Sequence, residues 1–202
     1  MFDALIIGGG AAGMSCALIL GSSQKKAFAK NKQIGIILHQ KASHLQNAMF
    51  NNVLGLQPGT TGAQILDSGK SQLANQYPNV KQIENEKVLE IQKTEQHFTI
   101  VTNKTNYNTK CAVIAVGYTN LLNIKGLENY TEVHPRARAE KERIWLKNTN
   151  HKIIDNLYVA GTLAGWRSQF AIASGSGAHV ATDILTMWND GIETKIHDKV
   201  TN

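Results

Sequence analysis

Apolar residues in this chain gather in a few short runs set between long polar stretches, and the first run organises the rest. Ala4-Leu-Ile-Ile7 is continuously apolar, Gly8-Gly-Gly10 breaks it, and a second apolar stretch runs from Ala11 to Leu20. That order predicts a buried strand, a tight turn and a helix. Ile34-Gly-Ile-Ile-Leu38 predicts a second buried strand. After a turn at Leu56-Gln-Pro-Gly-Thr60, the positions of Ile65, Leu66 and Leu73 predict a helix from Thr61 to about Gln76, ended by Tyr77-Pro78. From Val80 to Tyr107 the runs shorten: Val88, Ile91, Phe98, Ile100 and Val101 mark strands of a small antiparallel meander. Cys111 to Gly117 is apolar again, as in a parallel strand covered on both faces. Asn156 to Gly161 reads as a last short strand. Gln169 to Trp188 reads as a helix with Ile172, Val180, Ile184 and Leu185 on its apolar side. Residues 119–156 carry no long apolar run; one short helix is expected near Ala139 to Leu146, with Trp145 turned inward. No internal repeat is visible.

The glycines at the first turn are spaced Gly8-x-Gly10-x-x-Gly13. In a strand–turn–helix this spacing puts glycine where the chain turns, where backbone approaches a pyrophosphate, and where helix packs closely on strand. The helix start, with Ala11 and Ala12 in its first turn, then offers unpaired N–H groups and a positive dipole end to a phosphate. A dinucleotide is the expected ligand. An acidic residue for the adenosine ribose is missing, since His39, Gln40 and Lys41 follow the second strand instead.

The 202 residues are 42% hydrophobic with only 3 prolines, as in a folded chain. The formal net charge is +6. Lys25, Lys26, Lys30 and Lys32 lie between the first helix and the second strand, at the end of the sheet away from a nucleotide. Their charge reads as solvated surface, and nucleic acid is not an expected partner. Cys16 and Cys111 form no C-x-x-C and suit a reducing cytoplasm; both read as packing residues. No stretch reads as an export signal or approaches the roughly 20 apolar residues of a membrane span. His44, His97, His151, His179 and His197 have no partners at ligand spacing, so no metal is expected.

Several landmarks stand in one order: Gly8 to Gly13, Asn52-x-x-Gly55, Thr61-Gly62, Lys87-Val88, Ala112-Val-Ile-Ala-Val-Gly117, Val159-Ala-Gly161, and Gln169-Phe-Ala-Ile-Ala-Ser-Gly-Ser-Gly177. Together they resemble the FAD domain of the thioredoxin reductase-like pyridine nucleotide-disulfide oxidoreductases. The resemblance implies an α/β fold, a three-layer FAD-binding Rossmann-like domain with a small antiparallel meander. Residues 1–118 and 157–202 would form its core. A connector, 119–156, would stand where that family inserts its NAD(P)H domain.

By position the resemblance implies FAD contacts at Gly8, Gly10, Ala11, Ala12 and Gly13 for the pyrophosphate, and at Asn52 near the ribityl or ring. His39 and Gln40 would sit at the ribose, Val88 at adenine, and Ala115 and Gly117 along the cofactor. Gln169 and Phe170 would offer N–H groups to the isoalloxazine, where a helix N-terminus stabilises the charge collecting near N1 and O2 of the reduced ring. Gly161 and Thr162 stand where the family has Gly-Asp, and the family's redox cysteine pair has no counterpart. The expected activity is therefore FAD-dependent electron transfer to an unidentified acceptor without dithiol chemistry, with NAD(P)H as a diffusible donor. Two other readings stand beside it: a non-catalytic FAD-binding or partner-interaction module, and a nicotinamide-binding domain without flavin. His134 to Arg138 and Trp166-Arg167 are candidates to cover the flavin and bind an anion. The face left by an absent domain favours a homodimer.

Overall fold

The computed structural model describes residues 1–39, 43–117 and 123–197. Its first apolar run forms β1 (Ala4–Ile7), buried along its whole length, and continues through the glycine turn into α1 (Ala11–Ser22). Strand β2 (Ile34–Leu38) pairs in parallel with β1, Ala4 opposite Ile34 and Ile7 opposite Ile37. A ribbon of β3 (Met49–Phe50) and β4 (Thr60–Thr61) follows, then α2 (Gly62–Gln76). The expected start of α2 is explained by a capping box: Gln64 N–H donates to Thr61 Oγ1, and Thr61 N–H to Gln64 Oε1.

Strand β5 (Val80–Glu84) pairs in parallel with β2, so the stretch expected as one meander divides. Its mixed burial resembles that of a meander strand because it is an edge strand of the main sheet, with Val80 in the helix-side core, Ile83 in the meander-side core, and Lys81 and Glu84 exposed. The meander proper is β6 (Val88–Lys93), β7 (Phe98–Thr102) and β8 (Asn106–Thr109). Strand β9 (Ala112–Ile114) returns to the main sheet beside β1.

The helix expected near Ala139 to Leu146 is not formed. Ala139–Lys141 is a single 3-10 turn ending at Glu142 with φ 46°, and Ile144–Leu146 is strand β11, antiparallel to β10 (Thr131–Val133). Backbone pairing across this ribbon, with Leu146 fully buried, prevails over local helix preference. Trp145 is half-buried. Strand β12 (Lys152–Ile154) turns into β13 (Leu157–Val159), a 3-10 turn spans Gly161–Ala164, and α3 (Phe170–Trp188) ends the described fold.

The main sheet has the order β12-β13-β9-β1-β2-β5, parallel except for β12. Alternate residues of β1 point into two cores. Ala4 and Ile6 pack with Cys16, Leu20, Leu73, Val180 and Ile184 from the helices. Leu5 and Ile7 pack with Ile91, Phe98 and Ile100 of the meander and with Leu146. The layers are helices, sheet and meander, the expected three-layer α/β class. Cys16 and Cys111 are free and buried in the helix-side core, where burial pushes both thiols far above the ordinary cysteine value. Among the described residues, no helix is long and apolar enough to cross a membrane.

Helices α1 and α3 cross in contact because Gly177 has no side chain: a Cβ there would overlap the carbonyl of Ala12. Gly177→Val should therefore push the helices apart and lower stability by about 1–3 kcal/mol. Urea unfolding followed by circular dichroism checks this, and an unchanged midpoint would show that the crossing tolerates a side chain.

Candidate functional site

The C-terminal ends of β1, β2, β9 and β13 lead into one cavity of about 470 Å³, a usual size for a cofactor or small-molecule site. Gly8, at φ +112°, turns the chain beneath its floor; a Cβ there would lie 2.6 Å from the carbonyl oxygen of Ala115. Gly10 is different. Its backbone is extended, at φ −78° and ψ −170°, and nothing lies within 4 Å of where its Cβ would be. Its bareness leaves open space beside the start of α1.

Two helices begin at this cavity. Gly10 N-caps α1 and Gln169 N-caps α3; neither makes a side-chain cap bond, and neither helix has an acidic residue in its first turn. The first-turn N–H groups and the positive dipole ends of both helices are thus left for a ligand. The N-terminus of α2 lies outside the cavity lining and is closed by its own capping box.

At one end of the cavity are His39, Glu86, Lys87 and Val88. Glu86 is buried with both oxygens engaged: Thr102 Oγ1 donates to Oε2 at 2.7 Å and the Tyr107 hydroxyl to Oε1 at 2.9 Å. Burial, then the hydrogen bond and charge of Glu86, hold the Tyr107 phenol above its ordinary value. This carboxylate ties the chain entering β6 to β7 and β8 of the meander. At the other end are Thr162, Gln169 and Phe170, with Phe50 against Phe170 at 5.2 Å between ring centroids.

The structure brings Gly8, Gly10, Ala11, Ala12, His39, Val88, Ala115, Gly117, Gly161, Thr162, Gln169 and Phe170 into this one lining. Gly13 lies beneath it, packed against the carbonyl of Gly8. Asn52 is exposed and outside the lining; its neighbour Asn51 closes the 51–59 loop by accepting from the Gly59 N–H at 2.8 Å. Gln40 lies outside the described residues. Glu86 and Phe50 line the cavity without having been singled out from sequence, and His44, considered there only as a metal ligand, lines it too. Phe50 carried a signal, being a lone aromatic in a polar stretch just before the Asn51-Asn52 turn. Arg136, Arg138, Trp166 and Arg167 do not line the cavity, and Arg136 lies over the Trp166 ring at 5.4 Å. Among the described residues, no group of three His, Cys, Asp or Glu side chains is placed to hold a metal ion.

Behind the cavity wall, the Gly161 N–H donates to Ser176 Oγ at 2.7 Å. The neighbouring His151 is buried, with Nδ1 3.0 Å from the Val159 carbonyl, and its ring stacks on Trp166 and meets His179. Burial drives the His151 imidazole below its ordinary value of 6.5; the Val159 carbonyl opposes this, His179 adds to it, and Asp183 opposes it.

A family profile described as "Pyridine nucleotide-disulphide oxidoreductase" matches residues 2–167. No curated protein sequence matches the chain. Among solved structures, a thioredoxin reductase from Gloeobacter violaceus superposes with a TM-score of 0.74 at 13% identity, over 98% of this chain and 99% of that one. The thioredoxin reductase of T. acidophilum gives 0.65 at 18% identity, over 95% and 99%. A ferredoxin-flavin thioredoxin reductase from Clostridium acetobutylicum gives 0.64 at 16%, over 94% and 98%. At these identities the likeness is one of fold.

The depressed His151 sets a pH dependence. Below its ordinary value the unfolded chain takes up a proton that the folded imidazole refuses, so the stability from neutral His151 is present above pH 6.5 and is lost as pH falls. Wild type should lose more stability than His151→Gln between pH 7.5 and 5.5 in urea titrations. Parallel losses in the two proteins would remove His151 from the account.

Proposed function

The chain belongs to the pyridine nucleotide-disulphide oxidoreductases, a family of FAD-dependent oxidoreductases, and from that premise we propose that its cavity binds FAD and that the protein is a flavoprotein carrying electrons between an external donor and an acceptor. The observation that carries this reading is the pair of uncapped helix N-termini aimed at one cavity, while the helix that starts elsewhere is capped. The residues fit the group. Bare Gly10 leaves a cradle beside the first turn of α1 for a diphosphate. The backbone at Glu86–Val88 suits an adenine at one end. At the other end, α3 presents N–H groups beside Gln169 and Phe170, where its dipole stabilises negative charge.

FAD, when bound, supplies the two-electron chemistry; the chain holds it, orients it and shields it. Thr162 offers a hydroxyl where the related pattern has a carboxylate, so one hydrogen bond stands in for an acceptor pair. Cys16 and Cys111 are buried thiols in the helix-side core, which supports a reaction without a cysteine pair. The segment 119–156 takes the place of a nicotinamide domain in this reading, and NADH or NADPH reaches the site by diffusion or is replaced by a protein donor.

Absorbance spectra of the purified protein with added FAD test the reading. Wild type should acquire a flavin spectrum that survives desalting, and anaerobic NADH or NADPH should bleach it. Bound flavin that neither nicotinamide bleaches would point to a protein donor; refusal of FAD would overturn the proposal. Gly10→Val should lose the flavin while staying folded, because its side chain enters open space and its backbone needs no glycine; the poorer N-cap of α1 should cost only about 1 kcal/mol in urea unfolding.

A further inference from the structure

The turn between β13 and α3 is gripped from outside by the 131–148 segment. His134 is 4% exposed. The N–H groups of Arg136 and Ala137 both donate to its Nδ1 at 3.1 Å, which leaves Nε2–H to donate to the Thr162 carbonyl, also at 3.1 Å. Arg136 Nη1 donates to the Gly165 carbonyl at 2.6 Å while its guanidinium lies over Trp166. Asn148 Nδ2 donates to the Leu146 carbonyl at 2.7 Å and to the Ala164 carbonyl at 3.2 Å. Three side chains of one segment thus each take a different carbonyl of residues 162–165. The Trp145 ring fills the space beside Gly165, where a Cβ would lie 2.8 Å from it.

This turn needs holding. Gly161 and Gly165 sit at φ +79° and +90°, and glycines lose the most conformational freedom on folding. The turn also sets two parts of the cavity: Gly161 and Thr162 line it, and Gln169, four residues beyond Gly165, starts α3.

We propose that the 131–148 segment is a clasp, in which His134, Arg136 and Asn148 are positioning residues that fix the 161–165 turn and the start of α3 in the shape that receives the cofactor. The inference rests on the reading of the cavity as an FAD site. Holding the turn before binding removes an ordering cost that FAD would otherwise have to meet. If the three hydrogen bonds only satisfied carbonyls, their loss would lower stability and leave ligand affinity alone.

The test compares wild type with His134→Leu, His134→Gln and Arg136→Leu in two measurements: amide hydrogen exchange of residues 161–170 without FAD, and the FAD dissociation constant from flavin fluorescence. The Gly161 N–H, bonded to Ser176, and the Gly165 N–H, bonded to the Thr162 carbonyl, are the reporters. Losing one clasp bond should speed exchange in this stretch relative to the rest of the chain and weaken FAD binding about tenfold. His134→Gln, which keeps a donor near the Nε2 position, should recover most of both effects. Arg136 is exposed, so Arg136→Leu carries the test if His134→Leu does not fold. Unchanged exchange in the Leu variants overturns the clasp, as does faster exchange with unaltered FAD affinity. If wild type takes no FAD, the cofactor reading fails, and the exchange measurement alone decides whether the segment holds the turn.

Discussion

The close crossing of α1 and α3 is the constraint on which the site depends. Gly177 lets α3 lie against the Ala12 carbonyl, and both helices begin beside the same cavity. Each then presents first-turn N–H groups with no side-chain cap. Leaving such donors without partners is unfavourable, so two at one cavity make sense as halves of a site for a long, anionic, hydrogen-bonding ligand. The third helix supplies the contrast within the molecule: where no ligand is expected, Thr61 and Gln64 close the helix start.

Much of this was legible along the chain because the main sheet is built from continuous apolar runs, and such runs have few alternatives to burial. Ala4–Ile7, Ile34–Leu38 and Ala112–Ile114 are each fully buried, and the Gly8-x-Gly10-x-x-Gly13 spacing marked the turn between strand and helix. Val80–Glu84 misled because an edge strand of a main sheet, like a meander strand, mixes buried and exposed residues in a short run; their difference lies in the partner, which is β2 here. Ala139–Leu146 misled because its residues tolerate a helix locally, while its strand state depends on pairing with Thr131–Val133. Glu86 was hidden for a similar reason. Its role comes from Thr102 and Tyr107, brought to it by the meander.

The region behind the cavity shows how the later part of the chain supports the earlier one. Ser176 on α3 accepts the Gly161 N–H; His151 sits between the Val159 carbonyl and Trp166; His134 and Arg136 reach the carbonyls of Thr162 and Gly165. None of Ser176, His151, His134 and Arg136 lines the cavity. They fix the backbone of a turn that is rich in left-handed glycine and that places Thr162 in the cavity lining. A short segment can thus set the shape of one end of the site, although it carries neither a glycine fingerprint nor a long apolar run.

The most direct test of the central claim is an amide chemical-shift map of the isotopically labelled protein titrated with FAD. The account predicts the largest shifts at two separate places in the sequence, Ala11–Gly13 and Phe170–Ala173, with smaller changes at Lys87–Val88 and little at Gly62–Gln64. Shifts confined to one helix start, or centred on the capped start of α2, would contradict the claim that two open helix N-termini share one ligand.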